Sequence, residues 1–341
     1  MKRRLLFGKR LFCYNEPKEA EVMSNNATIR QHYIPQFILR NFVDVEGKIS
    51  VFDKSTGKRF KCTPYNIACE NHFYDFSLNI ENEEHSTTFE QAFSAVENLV
   101  APIFARIVEN NELKINTVEK QRVSEFLWLQ FARTKCMRGH VREILHEIQA
   151  KTNMNDALNP YSRMDPDNLD ENDIKIIHSG FILGSQSFAN SFYNLRWGLV
   201  STVKNRPFFL SDHPVFMMTR LKNIYHVGFE KLGTEFCFPI APTLMLKMME
   251  VNTVNYFKFE LRNLNKTKDF GEEVEMIKFL QCLNDEKAFL CSDKECEFIN
   301  KAQVVNSEKF LYSCKNDFSL AETFLKQYSE YKNPLRVTMR L

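Results

Sequence analysis

The side chains best suited to chemistry in this sequence are one histidine and three carboxylates: His32, Glu90, Glu97 and Asp212. Glu90 and Glu97 are seven residues apart, so on a helix both carboxylates would project from nearly the same face. Asp212 ends an apolar run typical of a strand, and functional groups often lie in the loops that follow strands. Carboxylates can hold a divalent ion that activates water. We therefore expect Mg²⁺ or Mn²⁺ at Glu90, Glu97 and Asp212, with His32 as a further catalytic residue.

A second set of polar residues is suited to holding a substrate. Gln36 and Arg40 are four apart on a short helix predicted to begin at Pro35, and Gln130 and Arg133 are three apart. Gln130 interrupts an apolar run, where an unpaired amide is costly, so we expect it to have a specific partner. Guanidinium groups suit phosphate oxygens. The two sets together predict a hydrolase of phosphodiester bonds with a nucleic acid or nucleotide as its partner.

The same residues also have structural interpretations. Glutamates on an amphipathic helix are usually solvated, and Asp212 could cap a turn before Pro214. As a buried hydrogen-bond network, the polar residues would specify the fold of a non-catalytic binding or regulatory protein. A third alternative uses Arg133 and His140, whose spacing matches the R-x(4–6)-H pattern of metal-free HEPN-type ribonucleases, in which Arg and His share a helix face.

One short segment carries a family resemblance. Residues Gln31–Phe42 read QHYIPQFILRNF and contain His-Tyr-x-Pro-x-x-x-Leu-x-x-Phe. This pattern resembles the opening signature of the domain-of-unknown-function family 4238. Segments at 69–75, 126–134 and 211–215 (Ser-Asp-x-Pro-Val) are similar to later motifs of that family, in the same order. The resemblance covers about residues 30–310. The resemblance implies an association with prokaryotic mobile elements or phage defence. It does not indicate which reaction, if any, the protein catalyses.

Composition narrows the class of protein. The chain has 341 residues, of which 44% are hydrophobic, and a net charge of +2. It can bury a sizeable core, and its charge neither requires nor excludes nucleic acid. Its nine cysteines contain no C-x-x-C pair, which argues against a zinc ribbon and a disulfide framework and indicates free thiols in a reducing cytoplasm. No segment reaches the roughly 20 apolar residues that span a membrane, so no membrane partner is expected.

Hydrophobic periodicity predicts an α+β fold. Helical patterns over 86–149 and 171–190 form a layer that packs on a mostly antiparallel sheet, formed by 196–262 and 287–291. Within the first helical region, Asn116 three residues before a glutamate predicts a capping box.

The predicted domain organisation is simple. Residues 1–26 are expected to form a flexible tail, 27–310 a single α+β domain, and 311–341 a peripheral C-terminal segment. Two strand-like runs around a Ser-Thr-Gly turn predict a β-hairpin at 48–62, and the polar stretch 151–172 predicts a surface loop.

Overall fold

A computed structural model describes residues 29–80, 83–87, 89–151, 165–183, 185–221, 227–229, 231–264, 273–283 and 286–334. The predicted tail at 1–26 and most of the predicted loop at 151–172 lie outside the described residues. The described part is an α+β fold with several helices and antiparallel or mixed sheets, which confirms the predicted fold class.

The strands group into two main sheets and two small pairs. In chain order they are β1 (Arg30–His32), β2 (Ile49–Asp53), β3 (Arg59–Cys62), β4 (Cys69–Asn71), β5 (Phe76–Ile80), β6 (Glu83–Thr87), β7 (Arg196–Ser201), β8 (Leu210–Ser211), β9 (Phe216–Thr219), β10 (Thr234–Ala241), β11 (Leu244–Met249), β12 (Phe289–Leu290) and β13 (Phe310–Ser313). A five-stranded sheet has the order β12-β7-β11-β10-β9, and a four-stranded sheet has the order β3-β2-β13-β8. The predicted hairpin at 48–62 is confirmed as β2 and β3.

Some helices pack on the main sheets, and others pack on neighbouring helices. They are α1 (Gln36–Leu39), α2 (Glu90–Asn110), α3 (Thr117–Ala132), α4 (Lys135–Gly139), α5 (Val141–Lys151), α6 (Glu171–Leu183), α7 (Ser185–Asn194), α8 (Val251–Leu264), α9 (Glu273–Cys282), α10 (Asp293–Asn306) and α11 (Ser319–Gln327).

Aromatic rings form the contact between the helical layer and the sheet. Phe104 of α2 and Phe126 of α3 pack on Phe238 of β10, with ring centroids 5.9 and 6.2 Å away. Phe192 of α7 packs on Phe236 of the same strand at 5.3 Å. Every residue of β10 and β11 is buried, because the strands are covered on both faces. This packing places α2 and α3 side by side. The segment Gln31–Phe42, which we call the signature segment, packs against both helices through Phe37.

Three predicted boundaries differ from the structure. The helix expected from residue 86 begins at Glu90, because Ser86 pairs with Ser77 in the β5–β6 hairpin. The helical region expected up to residue 149 is interrupted after Ala132, where α3 ends and the Thr134 side chain caps α4. The predicted sheet region 196–262 includes the helix α8. The Glu250 carboxylate caps its first turn by accepting the backbone N–H of Thr253.

The C-terminal part of the chain is not peripheral, contrary to the prediction for 311–341. Strand β13 crosses the predicted boundary and pairs with both β2 and β8 in the interior of the four-stranded sheet. Leu311 and Tyr312 are buried, and Phe318 stacks on Phe52 of β2 at 5.3 Å. The buried Lys54 donates to the carbonyls of Val304 and Ser307, at the C-terminal end of α10. Cations stabilise that end of a helix.

Candidate functional site

Arg133 is the centre of the candidate site. It directly follows α3 and its side chain is fully buried. Its Nη1 donates to Glu97 Oε1 at 2.7 Å and its Nη2 donates to Gln130 Oε1 at 2.8 Å. The guanidinium lies 5.4 Å from the ring centre of Phe93. Its Nε has no hydrogen-bond partner among the described residues. A buried donor without an acceptor is costly, so the Nε indicates a place for a further acceptor.

Gln130 connects this arginine to the signature segment. Its Nε2 donates to the backbone carbonyl of Tyr33 at 2.8 Å, so the amide has the specific partner that the sequence leads us to expect. Tyr74 lies on the other side, where its hydroxyl donates to the backbone carbonyl of Arg133 at 3.1 Å. Gln31 accepts the backbone N–H of Tyr74 and donates to Asp75. These bonds hold the signature segment and the 73–75 segment against the end of α3.

Glu90 and Glu97 both reach Arg133 from α2. They interact electrostatically with each other, in agreement with their seven-residue spacing, and Glu97 is the direct partner of the arginine. Burial raises the pKa of Glu90 to about 7, although Arg133 and the backbone N–H of His32 act in the opposite direction. Glu90 Oε1 has no hydrogen-bond partner in the described part of the chain. Glu90 is therefore a carboxyl group that changes its protonation state near neutral pH.

His32 completes the site at the end of β1. Burial lowers the pKa of the half-buried imidazole, while the backbone carbonyls of Pro64 and Tyr65 raise it in part. The ring interacts electrostatically with Glu97 and Arg133. Its Nε2 finds no hydrogen-bond partner within the described ranges. The lowered pKa favours the neutral form of the imidazole, in which Nε2 is a ring nitrogen without a partner among the described residues.

We call His32, Glu90, Glu97, Gln130 and Arg133 the Arg133 site. The sequence placed these five residues among its candidates, and the structure brings them together from β1, α2 and the end of α3. Three of them each present one unpartnered polar atom: His32 Nε2, Glu90 Oε1 and Arg133 Nε. Unpartnered polar atoms are rare in folded proteins. Three such atoms on residues that share electrostatic interactions with Arg133 or Glu97 suit a site that binds a polar molecule.

Asp212 does not join this site. Its buried carboxylate accepts the backbone N–H groups of Glu308, Lys309 and Phe310 at 2.8, 2.7 and 2.8 Å. Burial raises the pKa of Asp212 to about 6, and the three N–H groups lower it in part. The expected trio with Glu90 and Glu97 is thus not formed, because Asp212 holds the start of β13. Across the described ranges, no three His, Cys, Asp or Glu side chains are grouped closely enough to hold a metal ion.

Gln36 and Arg40 lie on the surface of the signature segment. Arg40 is exposed, and its Nη2 donates to Gln36 Oε1 at 3.0 Å. The pair therefore stabilises its own short helical segment. No hydrogen bond joins it to the Arg133 site in the described structure, and its role in substrate binding stays a prediction.

Arg133 and His140 do not share a helix face, contrary to the HEPN-type alternative. The helix α3 ends before Arg133, and His140 follows the separate short helix α4. The His140 ring is buried and its Nδ1 hydrogen-bonds the Cys136 carbonyl at 2.8 Å. The geometry that this alternative requires is therefore absent.

Sequence reasoning missed Gln31, Tyr74 and Asp75 as parts of the surrounding framework. In the same segment, His72 adopts a left-handed conformation with φ 54° and is exposed, whereas Tyr74 is buried. The sequence signal that could have identified Gln31 was its position directly before His32 and Tyr33 of the signature. Nothing local indicates that Asp75 is its partner, because the two residues are 44 positions apart.

Comparisons with known proteins identify the family. No curated protein and no solved structure matches the chain. Of the helices in the described ranges, none has the length and apolar character needed to cross a membrane. A family model described as a protein of unknown function, DUF4238, matches residues 30–317, which include the whole Arg133 site. The chain therefore belongs to the DUF4238 family.

Proposed function

We propose that this protein is a hydrolase whose general acid–base group is Glu90. The observation that supports this most is that His32, Glu90 and Arg133 each have one unpartnered polar atom and that these residues interact electrostatically with one another or with Glu97. In a purely structural network we would not expect three polar atoms without hydrogen-bond partners, since each one destabilises the folded state.

The protonation states suit acid–base chemistry at neutral pH. A carboxyl group with a pKa of about 7 is present in both forms, which is the condition for efficient proton transfer. The neutral His32 can orient a water molecule through Nε2. Arg133 keeps its Nε N–H for a substrate oxygen, while Glu97 and Gln130 fix the plane of its guanidinium.

A phosphodiester is the substrate class that we propose, with nucleic acid as its source. The Arg133–Glu97 pair is neutral in sum, so protonated Glu90 leaves the site without net negative charge. A protonated carboxyl group does not repel a phosphate and can donate its proton to the leaving oxygen. If Mg²⁺ or Mn²⁺ takes part, Glu90 and Glu97 are the carboxylates that would hold it, without Asp212.

A non-catalytic binding protein is the second candidate. The observation in its favour is the set of well-satisfied bonds around the site, in which Gln130 holds Tyr33 and Tyr74 holds Arg133. In that case the Arg133 site would position the signature segment for a partner.

The experiment that separates the two is a hydrolysis assay of the purified chain. Single-stranded RNA, single-stranded DNA, duplex DNA and bis-p-nitrophenyl phosphate are each tested with EDTA, Mg²⁺ and Mn²⁺. We expect hydrolysis of at least one substrate and a loss of about 100-fold or more in Glu90→Gln, as is usual for removing a general acid–base group.

The matched control is Glu109→Gln, an exposed glutamate at the other end of the same helix. It should retain full activity. Absence of hydrolysis under every condition, or equal rates for the two variants, would reject the hydrolase proposal in favour of the binding protein.

A further inference from the structure

A cavity of about 320 Å³ lies at the opposite end of α3 from the Arg133 site. It is lined by residues from the start of α3, the start of β7, the first turns of α8 and the segment 286–287. Its volume is at the lower end of the range for small-molecule sites. The cavity is separate from the Arg133 site, since Lys120 and Arg133 are about 20 Å apart along the helix axis.

The charged lining of this cavity is mostly basic. It contains four cations, Lys120, Arg196, Lys258 and Lys287, and one carboxylate, Glu286. None of the four cations forms an ion pair with a carboxylate among the described residues. Elsewhere in the fold, basic side chains such as Arg106 and Lys135 have carboxylate partners. Unneutralised charge concentrated in a concave site attracts anions.

Lys120 is the part of the lining that is held in place. It is half-buried, its Nζ donates to the Leu195 carbonyl at 3.3 Å, and it lies 4.9 and 5.1 Å from the ring centres of Tyr193 and Trp197. Burial lowers the pKa of Lys120, and the neighbouring Arg196 lowers it further. A bound anion would relieve both effects, because it supplies the counter-charge that the described residues do not.

The remaining walls are apolar. Leu113, Ile115, Leu195 and Val254 line the cavity together with Trp197, whose indole N–H is already used by the Phe192 carbonyl at 2.9 Å. Such walls accommodate the organic part of a ligand. Several cations suit a group with more than one negative charge, and a phosphate monoester carries roughly −1.5 to −2 near pH 7.

We propose that this cavity binds a small phosphorylated organic molecule, with Lys120 and Arg196 at its phosphate group and the apolar walls around its organic part. The ligand enters a preformed site and exchanges its hydration for contacts with the cations of the lining. This inference rests on residues outside the Arg133 site, so it stands or fails independently of the hydrolase proposal.

The test is isothermal titration of the full chain at constant ionic strength. The probes are inorganic phosphate, glycerol 3-phosphate and adenosine 5′-monophosphate, with glycerol and adenosine as uncharged counterparts. We expect saturable binding of phosphorylated probes and none of their uncharged counterparts. Lys120→Met should weaken the strongest binding by about tenfold or more, which corresponds to the loss of one charge-assisted contact.

Two further variants make the result decisive. Lys326→Met, an exposed lysine on α11, is the matched control and should bind like the wild type. Arg196→Gln removes an exposed charge at the cavity and should weaken binding even if Lys120→Met folds poorly. Absence of saturable binding by all three phosphorylated probes would overturn the proposal. So would tight binding of adenosine, or unchanged binding in Arg196→Gln.

Discussion

Two clusters of charged and polar side chains in this molecule differ in how completely their polar atoms are satisfied. The first is the Arg133 site. The second, which we call the sheet cluster, consists of Arg220, Glu235, Lys247 and Glu295. Arg220 donates to both glutamates, and Lys247 lies 2.7 Å from Glu235 and 3.7 Å from Glu295. Two positive and two negative groups are thus enclosed with exposures of 6% or less.

The sheet cluster has the properties of a structural device. Burial alone would raise the pKa of Glu295, but Lys247 and Arg220 hold it below its ordinary value. No polar side-chain atom of the cluster is without a partner in the described structure. By contrast, the Arg133 site combines a paired arginine with three unpartnered atoms and a carboxyl group of raised pKa. The difference shows that this fold can satisfy buried charges fully, and that it does not do so at the Arg133 site.

The largest expected effect follows from removing one cation of the sheet cluster. Lys247→Met leaves Arg220 alone against two buried carboxylates, and we expect the free energy of unfolding to fall by about 3–5 kcal/mol. Urea denaturation monitored by circular dichroism measures this change. Lys294→Met, at an exposed lysine of α10, is the control and should change stability little. A loss below about 1 kcal/mol in Lys247→Met would contradict the interpretation of the cluster as structural.

A smaller effect is expected from the equivalent change at the Arg133 site. Arg133→Met should lower the free energy of unfolding by about 1–3 kcal/mol, because Glu97 is 24% exposed and can regain water. The same urea experiment applies, with Arg40→Met as the exposed control. A loss as large as that of Lys247→Met would remove the contrast between the two clusters and favour a structural role for the Arg133 site.

The third expected effect is a gain in the stability of Glu90→Gln over the wild type that depends on pH. The pKa of Glu90 is raised in the folded protein from an ordinary value of 4.5 to about 7, so its contribution to stability is lost as the pH rises through that interval. Glu90→Gln does not titrate and keeps an acceptor for the His32 backbone N–H. Its melting temperature minus that of the wild type should therefore increase from pH 5 to pH 8.

Thermal unfolding at pH 5, 6, 7 and 8 measures this difference, and the comparison with the wild type cancels the titration of other buried groups such as His178 and His213. Glu109→Gln should show a flat difference over the same range. A flat difference for Glu90→Gln as well would indicate that its carboxyl group has an ordinary pKa.

Local features of the fold were predictable from the sequence. The capping box of Asn116 and Glu119 is present with both of its hydrogen bonds, because it needs only four consecutive residues. The β2–β3 hairpin was likewise predictable, because it needs only two strand-like runs around one turn. The structure also brings together five of the eight candidate residues, each of which is a polar residue beside an apolar run, and their role in catalysis or substrate binding stays a prediction.

Long-range partners were not predictable. The sequence predicts that Asp212 is a functional carboxylate at the end of a strand. Its three N–H donors, however, lie 96 to 98 residues further along the chain. Likewise, β13 has the pattern of a short strand, and periodicity does not show which strands it will join. Pairing between distant segments depends on tertiary packing, which a single sequence does not display.

The position of β13 has a consequence for the order in which the molecule can fold. The Lys54 side chain meets its acceptor at Val304 across 250 residues, and β2 meets β13 across a similar span. During synthesis β2 and β3 emerge early, but their sheet lacks its third strand until nearly the whole domain has been made. Contacts of such long sequence separation slow folding, and an unpaired strand edge invites association in the meantime. This protein should therefore depend on chaperones or low concentration while the last segment is being added.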